Sequence, residues 1–133
     1  MAKILVIEDE ELIRDVIVEI LADRGNDAFG VATAEEGLRR LGDHALDLVV
    51  SDIALPGLSG LELLDEARRT RASLPIVLVS GAGTRQTVDE ALARGADGLV
   101  TKPFSHSELV HAVAAALDGA AGRLGGPVLR NAA

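Results

Sequence analysis

Five short runs of residues, each apolar nearly throughout, dominate the pattern of this chain. A strand with one face in water alternates apolar and polar residues, whereas a strand covered on both faces does not. The segments between the runs carry apolar residues at helical spacing, and parallel strands joined by right-handed helical crossovers satisfy both patterns. We therefore expect an α/β fold, a doubly wound five-stranded parallel sheet with five helices. The predicted strands are KILVI (3–7), DAFGVA (27–32), DLVVS (47–51), PIVLVS (75–80) and DGLVT (97–101).

Small polar residues and glycines mark where several of the predicted helices begin and end. A Ser or Thr at the N-cap satisfies free backbone amides of the first turn, and a glycine often follows the last turn. The predicted N-caps are Thr33, Ser59, Thr84 and Ser105, and the predicted stops are Gly25 and Gly95. The face of the first helical segment (10–24) that we expect to be buried consists of Leu12, Val16, Ile20 and Leu21.

The length and composition fit a single folded unit. A chain of 133 residues with 48% hydrophobic content can bury one core. We assign this domain to residues 1–118. The segment GAAGRLGGPVLRNAA (119–133) has four glycines, a proline and no apolar period, so we predict a flexible tail. No DNA-binding helix-turn-helix pattern follows residue 118, and we expect a single-domain protein.

Charge and composition exclude several classes of partner. The net charge is -8, from 21 acidic and 13 basic residues, which opposes binding to nucleic acid or to an anionic membrane. The chain has no cysteine, which removes disulfides and cysteine-based zinc sites. The start MAKILVIEDE reaches charged residues too early for a signal peptide or a membrane span. We expect a cytoplasmic protein whose partners are proteins and a cation.

Reactive side chains stand at the carboxyl ends of four predicted strands. They are Glu8 and Asp9 after the first strand, Asp52 after the third, Ser80 at the end of the fourth and Lys102 after the fifth. The carboxyl ends of parallel strands meet at one edge of the sheet, where such folds bind ligands. Three neighbouring acids repel one another unless a cation compensates them, and oxygen ligands without sulfur favour Mg²⁺ or Mn²⁺. The sequence therefore predicts a divalent metal site that leaves room for a phosphoryl oxygen.

Four segments, in this order, make residues 1–118 similar to the response regulator receiver domain, the phosphoacceptor partner in two-component signalling. The segments are KILVIEDE for the acidic pair, DLVVSDIALPGLSG for the phosphoacceptor strand, PIVLVSGAG for the hydroxyl and GADGLVTKPF for the lysine. The resemblance implies a flavodoxin-like (CheY-like) sheet with strand order 2-1-3-4-5. It also implies a signalling module, and not an enzyme beyond its own phosphotransfer and dephosphorylation.

The same resemblance implies a role for each residue at the strand ends. Asp52 would accept a phosphoryl group from a histidine kinase or a phosphotransfer protein. Glu8 and Asp9, with Asp52 and the backbone carbonyl of Ala54, would hold Mg²⁺. Ser80 would hydrogen-bond the phosphoryl group, and Lys102 would pair with it across a cis Lys102-Pro103 bond.

One position departs from the family pattern and bears on signal output. Leu99 stands where the family usually has Tyr or Phe, so an aromatic side chain cannot report phosphorylation. We expect the effector to be another protein, docking on the face formed by the fourth helix, fifth strand and fifth helix. Candidate contact residues are Arg85, Arg94 and Leu99.

Four other interpretations remain open at this point. Asp52 alone is also typical of a turn or a helix cap. A Mg²⁺-dependent phosphatase with an aspartyl-phosphate intermediate would need a second acid at the position of Ala54. A nucleotide or flavin site would suit the fold but lacks a glycine-rich loop after the first strand. The fold could also serve as an interaction module that is never phosphorylated.

Overall fold

The computed structural model describes residues 1–81 and 84–121, in which strands and helices alternate from end to end. The strands are β1 Lys3–Ile7, β2 Asp27–Val31, β3 Leu48–Asp52, β4 Ile76–Ser80 and β5 Gly98–Thr101. The helices are α1 Glu11–Asp23, α2 Ala34–Arg40, α3 Gly60–Thr70, α4 Arg85–Ala93 and α5 His106–Ala121. Every predicted strand is present, with ends that differ from the prediction by at most one residue.

The strands form one parallel sheet in the order β2-β1-β3-β4-β5. This confirms the predicted doubly wound fold and its strand order. The order reverses direction at β1 and β3, so the crossovers place helices on both faces. The loops that follow β1 and β3 diverge at the carboxyl edge, and this is where a ligand can enter.

Alternate residues of the central strands enter two separate cores. On one face, Leu5, Val49 and Leu78 pack with residues of α2, α3 and α4. On the other face, Val6 and Val50 pack with residues of α1 and α5. Because both faces are covered, β3 and β4 are buried at every position. This double coverage is the physical reason that the strands read as continuous apolar runs.

The predicted buried face of α1 is wrong at two of its four positions. Leu12 is 80% exposed and Val16 is 47% exposed, whereas Ile17, Ile20 and Leu21 are buried against the sheet. The helix carries two overlapping apolar stripes, and its spacing alone does not decide between them. The crossover from β1 turns the stripe that contains Ile17 toward the sheet.

The helix caps follow the predicted chemistry. Thr33, Ser59 and Thr84 each accept a hydrogen bond from the backbone amide three residues later. Ser105 and Glu108 form a capping box, in which the amide of Glu108 donates to the Ser105 hydroxyl and the amide of Ser105 donates to the Glu108 carboxylate. The stop glycine Gly25 has a φ of 88°, which a residue with a side chain rarely adopts.

The last helix runs further than the predicted domain boundary. α5 continues through Ala121, so residues 119–121, which the sequence pattern placed in the tail, are helical. The remainder of the predicted tail, 122–133, lies outside the described residues. Among the described helices, none combines the length and the apolar character that crossing a membrane requires.

Candidate functional site at the carboxyl edge of the sheet

The strand register brings the predicted site residues to one edge of the sheet. β1 ends at Ile7, whose Cα pairs with that of Ser51, one residue before Asp52. Asp52 is the last residue of β3 and not, as predicted, the first residue after it. β4 ends at Ser80, which pairs with Thr101, and Lys102 follows directly. Four separate segments of the chain thus converge on one place.

Three carboxylates lie close together at this edge of the sheet. Glu8, Asp9 and Asp52 each present an oxygen within 4.8 Å of the oxygens of the other two. Glu8 is 1% exposed and Asp52 is 4% exposed, whereas Asp9 lies at the surface. Two buried acids and one exposed acid at this separation concentrate negative charge at one place, which solvent reaches at Asp9.

Lys102 compensates part of this charge. Its Nζ lies 2.6 Å from Asp52 Oδ2 and 3.2 Å from Glu8 Oε1, so one ammonium group bridges the two buried carboxylates. Burial by itself would lower the pKa of Lys102, but the hydrogen bond and charge of Asp52, joined by Glu8, raise it above its usual value. Lys102 is therefore a permanent positive charge in the site.

Glu8 is buried with its charge only partly compensated. Its Oε2 accepts a hydrogen bond from the backbone amide of Glu10 at 3.1 Å. Its Oε1 is buried and accepts no well-aligned hydrogen bond from any described residue, although Lys102 Nζ is near. Burial, helped by the neighbouring Asp52 carboxylate, raises the pKa of Glu8 to about 7. A buried oxygen with no well-aligned hydrogen bond fits a metal ligand, and three oxygen donors suit a hard divalent cation.

Asp52 is held on both of its carboxylate oxygens. Oδ1 accepts a hydrogen bond from the amide of Ala54 at 2.9 Å, and Oδ2 accepts one from Lys102. Ala54 is exposed, and its carbonyl remains a predicted metal ligand. These contacts fix the carboxylate in one orientation at the base of the site. A group so oriented is pre-positioned either to bind a cation or to attack an incoming phosphorus atom.

Ser80 and Pro103 also lie at this edge. Ser80 is 3% exposed, and its carbonyl accepts a hydrogen bond from the amide of Lys102 at 2.8 Å. The Lys102-Pro103 peptide bond is cis, as the resemblance implies. Ser80 follows Val79, the residue of β4 that pairs with Asp52, and Lys102, the residue after β5, contacts Asp52 through its Nζ.

The three output candidates have different surroundings. Arg85 is exposed at the start of α4. Arg94 is partly buried and makes ion pairs with Glu90 and with Asp65 of α3. Leu99 is only 8% exposed because its side chain lies in the core shared with α3 and α4, so it offers little surface for direct contact with a partner.

Sequence reasoning overlooked three residues that shape the site. Gly60, the first residue of α3, lies so close to β3 that a Cβ there would be 2.3 Å from the backbone oxygen of Asp52. Arg14 of α1 donates a hydrogen bond to the carbonyl of Glu8, and the stem of Arg14 passes over Gly30 of β2. A glycine inside a strand was the available signal for Gly30, since glycine weakens a strand unless something approaches closely. Arg14 carries no comparable signal in the sequence.

Comparisons with known proteins agree with this geometry. The family model described as "Response regulator receiver domain" matches residues 4–114. The structure is similar to a CheY-like receiver domain protein from Methanospirillum hungatei, with a TM-score of 0.86, 29% identity and coverage of 92% of this chain and 98% of that one. It is also similar to the receiver domain of NtrX from Brucella abortus, with a TM-score of 0.81, 39% identity and coverage of 86% and 98%.

Among curated proteins, the chain resembles one part of longer regulators. It is 43% identical over 107 residues to the two-component response regulator PhoP of Pseudomonas aeruginosa, which covers 80% of this chain and 48% of that protein. It is 40% identical over 116 residues to a probable transcriptional regulatory protein of Picosynechococcus, covering 82% of this chain and 46% of that protein. The chain therefore spans about half the length of these relatives or less.

Proposed function

Because the chain belongs to the response regulator receiver domain family of two-component signal transduction, we propose that Asp52 accepts a phosphoryl group from a histidine kinase or a phosphotransfer protein. One observation carries this proposal: the Asp52 carboxylate is nearly buried, yet it contacts Lys102 and lies beside Glu8 and Asp9 at the carboxyl edge of the sheet. A carboxylate that only capped a turn would not need an ammonium group and two further acids around it.

Each residue of the site has a separate role in phosphoryl transfer. A carboxylate oxygen of Asp52 attacks the phosphorus, the bond from phosphorus to the donor histidine nitrogen breaks, and its electron pair leaves with the imidazole. The product is an acyl phosphate on Asp52. Lys102, which now pairs with Asp52 Oδ2, supplies positive charge to the phosphoryl oxygens. Ser80, at the end of β4, supplies a hydroxyl to the same group.

The acid cluster supports a requirement for Mg²⁺, with Mn²⁺ as a substitute. We propose Glu8, Asp9 and Asp52 as ligands, together with the carbonyl of Ala54, and the buried Oε1 of Glu8 is the observation that favours them. When bound, the cation would neutralise negative charge on the transferring phosphoryl group. Lys102 already compensates part of the acidic charge, so the cluster is held together before a cation binds.

The signal leaves the domain, in this proposal, through binding to another protein. Arg85 on α4 is exposed, and the partly buried Arg94 pairs with Asp65 of α3, so a shift of α4 would change the surface that both arginines present. Leu99 would contribute from beneath this surface, through its packing against α3 and α4. The net charge of -8 favours a protein partner over nucleic acid for this domain itself.

Intact-mass measurement after incubation with acetyl phosphate tests the proposal. We expect one phosphoryl adduct on the wild type that requires Mg²⁺ and is removed by hydroxylamine, as an acyl phosphate is. Asp52→Asn should acquire no adduct. Asp89→Asn, an exposed position on α4, serves as the matched control and should behave as the wild type does. An adduct that persists in Asp52→Asn, or a wild type that takes none from acetyl phosphate or from a phosphorylated histidine kinase, would refute the assignment.

A further inference from the structure

The peptide group that joins Glu8 to Asp9 is held in place by a side chain from α1. Arg14 Nη1 donates a hydrogen bond to the carbonyl oxygen of Glu8 at 2.9 Å. The amide of Glu8 donates to the carbonyl of Val31 at the end of β2. Hydrogen bonds from α1 and to β2 therefore hold the backbone of Glu8. The orientation of the Glu8–Asp9 peptide in turn sets the direction in which the side chains of Glu8 and Asp9 leave the backbone.

Gly30 of β2 provides the path by which Arg14 reaches this carbonyl. A Cβ at Gly30 would lie 2.7 Å from Cγ and 2.8 Å from Cδ of Arg14, which is closer than such atoms can approach. The φ of Gly30 is not in the positive region, so backbone conformation does not demand glycine there. The close passage of the Arg14 stem is the reason that remains for a glycine inside this strand.

Arg14 is not engaged in ordinary surface pairing. Across residues 1–81 and 84–121, no carboxylate lies within ion-pair distance of its guanidinium group, and the hydrogen bond to the Glu8 carbonyl is its one polar contact. Holding an arginine side chain in one conformation costs up to about 2 kcal/mol of entropy, so a guanidinium group that contacts a single carbonyl requires a reason.

We propose that Arg14 is a positioning residue for the divalent cation site, and that Gly30 is needed because it lets Arg14 reach the Glu8 carbonyl. The inference rests on the metal site of the proposed function. By holding the Glu8–Asp9 peptide, Arg14 keeps two of the three acids in the arrangement that a cation needs before the cation arrives. Removing a residue that orients metal ligands typically weakens metal binding by about 10- to 100-fold.

The sign of the effect on Mg²⁺ affinity separates positioning from electrostatics. Arg14 carries a positive charge beside a site that binds a cation, so removing that charge alone would strengthen Mg²⁺ binding. Removing an anchor of the ligands would weaken it. Arg14→Met keeps an unbranched side chain and deletes both the charge and the hydrogen-bond donor. Electrostatics alone predicts tighter Mg²⁺ binding by this variant, whereas positioning predicts weaker binding.

Titration calorimetry of Mg²⁺ on the folded proteins tests the proposal. We expect Arg14→Met and Gly30→Ala each to raise the Kd for Mg²⁺ by about tenfold, at the lower end of the range for residues that orient metal ligands. Gly30→Ala retains the arginine charge and should still show the loss. The double variant should be no weaker than the worse single variant, because both changes remove the same contact. The controls are Arg39→Met, which removes an equal charge from an exposed side chain, and Gly42→Ala, where a Cβ would meet no described atom within 4 Å.

Urea unfolding in EDTA shows whether each variant is folded and separates stability from affinity. A lower stability with an unchanged Kd would mean that Arg14 only supports the fold, and the proposal would be wrong. A tighter Kd in Arg14→Met would assign the residue an electrostatic role instead. If the wild type binds Mg²⁺ but takes no phosphoryl group, the proposed function fails while this inference stands or falls on the Kd values. If the wild type binds no Mg²⁺, the inference is refuted as well.

Discussion

At the scale of single residues, Glu8 is the site group whose protonation is most sensitive to the state of the molecule. It is almost fully buried, its Oε1 accepts no well-aligned hydrogen bond from a described residue, and its pKa is raised to about 7. In the unfolded chain the same group has a pKa near 4.5. Folding without a metal thus carries an electrostatic cost at neutral pH that a bound cation or proton removes.

We predict that the metal-free protein loses stability as the pH rises from about 4.5 to about 7. In this window the folded state binds more protons than the unfolded state does, so the free energy of unfolding falls with pH and levels off above 7. The loss should be on the order of 3 kcal/mol. The ion pairs of Glu36 and Asp43 lower the pKa values of these groups. Their contributions to stability are therefore lost only below this pH window.

Urea unfolding in EDTA at several pH values measures this slope, with Glu8→Gln as the control. The variant should show a much flatter curve through the window. Its three histidines are the same as in the wild type and all are exposed, so the difference between the two curves isolates Glu8. Wild-type stability that rises from pH 5 to pH 7 in EDTA, with the same rise in the variant, would contradict the burial argument.

At the scale of elements, the start of α3 determines where the end of β3 lies. The amide of Gly60 donates to the carbonyl of Ile53, and the missing side chain of Gly60 lets the helix approach within contact distance of the Asp52 backbone. The Ser59–Glu62 capping box fixes where this helix begins. The position of the predicted phosphoacceptor is therefore a property of the β3–α3 junction.

We predict that Gly60→Ala is destabilised by about 2 kcal/mol, because its Cβ would meet backbone atoms that cannot move independently. It should also slow phosphorylation by acetyl phosphate, because Asp52 is displaced. Gly119→Ala in α5 is the matched control, since a Cβ there meets no atom of residues 1–81 and 84–121 within 4 Å, and it should gain about 0.5 to 1 kcal/mol from helix propensity. Chemical denaturation measures both changes, and equal stability of the two variants would show that the junction is not tightly packed.

The two stripes of α1 should differ in their effect on stability. Leu12→Ala should change the free energy of unfolding by less than about 0.5 kcal/mol, since Leu12 is 80% exposed. Ile17→Ala should cost about 2 to 4 kcal/mol, since Ile17 is fully buried between α1 and the sheet. Thermal or urea unfolding of the pair checks the orientation of the helix. If Leu12→Ala lost more unfolding free energy than Ile17→Ala, the buried face of α1 would be the one that the sequence pattern predicted.

At the scale of the whole molecule, negative charge is in excess and is concentrated where a cation can bind. The net charge is -8, and three of the acids share one site with a single lysine. A ligand that binds only the folded state stabilises it in proportion to the logarithm of its concentration. Stability should therefore respond to divalent cations beyond the general effect of ionic strength.

We predict that Mg²⁺ at ten times its Kd raises the free energy of unfolding by about 1.4 kcal/mol. Sodium chloride at the same ionic strength should raise it by less, because it screens charge without occupying the site. Asp52→Asn should lose most of the Mg²⁺-specific part. Urea unfolding in the two salts makes the comparison, and an equal response to both salts would mean that the acids are stabilised by screening alone.

Much of the fold was predictable because it depends on local pattern. Strands covered on both faces must be apolar throughout, and helix ends need polar caps, so β3, β4 and the caps at Thr33, Ser59, Thr84 and Ser105 are visible in the sequence. The residues of the site could be predicted from the sequence for a related reason. In a parallel sheet, residues at the strand ends share one edge whatever their separation along the chain, and so Glu8, Asp52 and Lys102 could be placed together.

The sequence by itself therefore determined the elements, the class of fold and the group of residues at the carboxyl edge, because these follow from periodicity and from the direction of parallel strands. Only the tertiary structure decided which stripe of α1 is buried, that Leu99 packs inside, and that Gly30 and Gly60 make room for Arg14 and for the Asp52 backbone. The physical reason is that these features depend on the distance and rotation between elements. Close packing sets those quantities through contacts between residues far apart in the chain, and no local pattern records them.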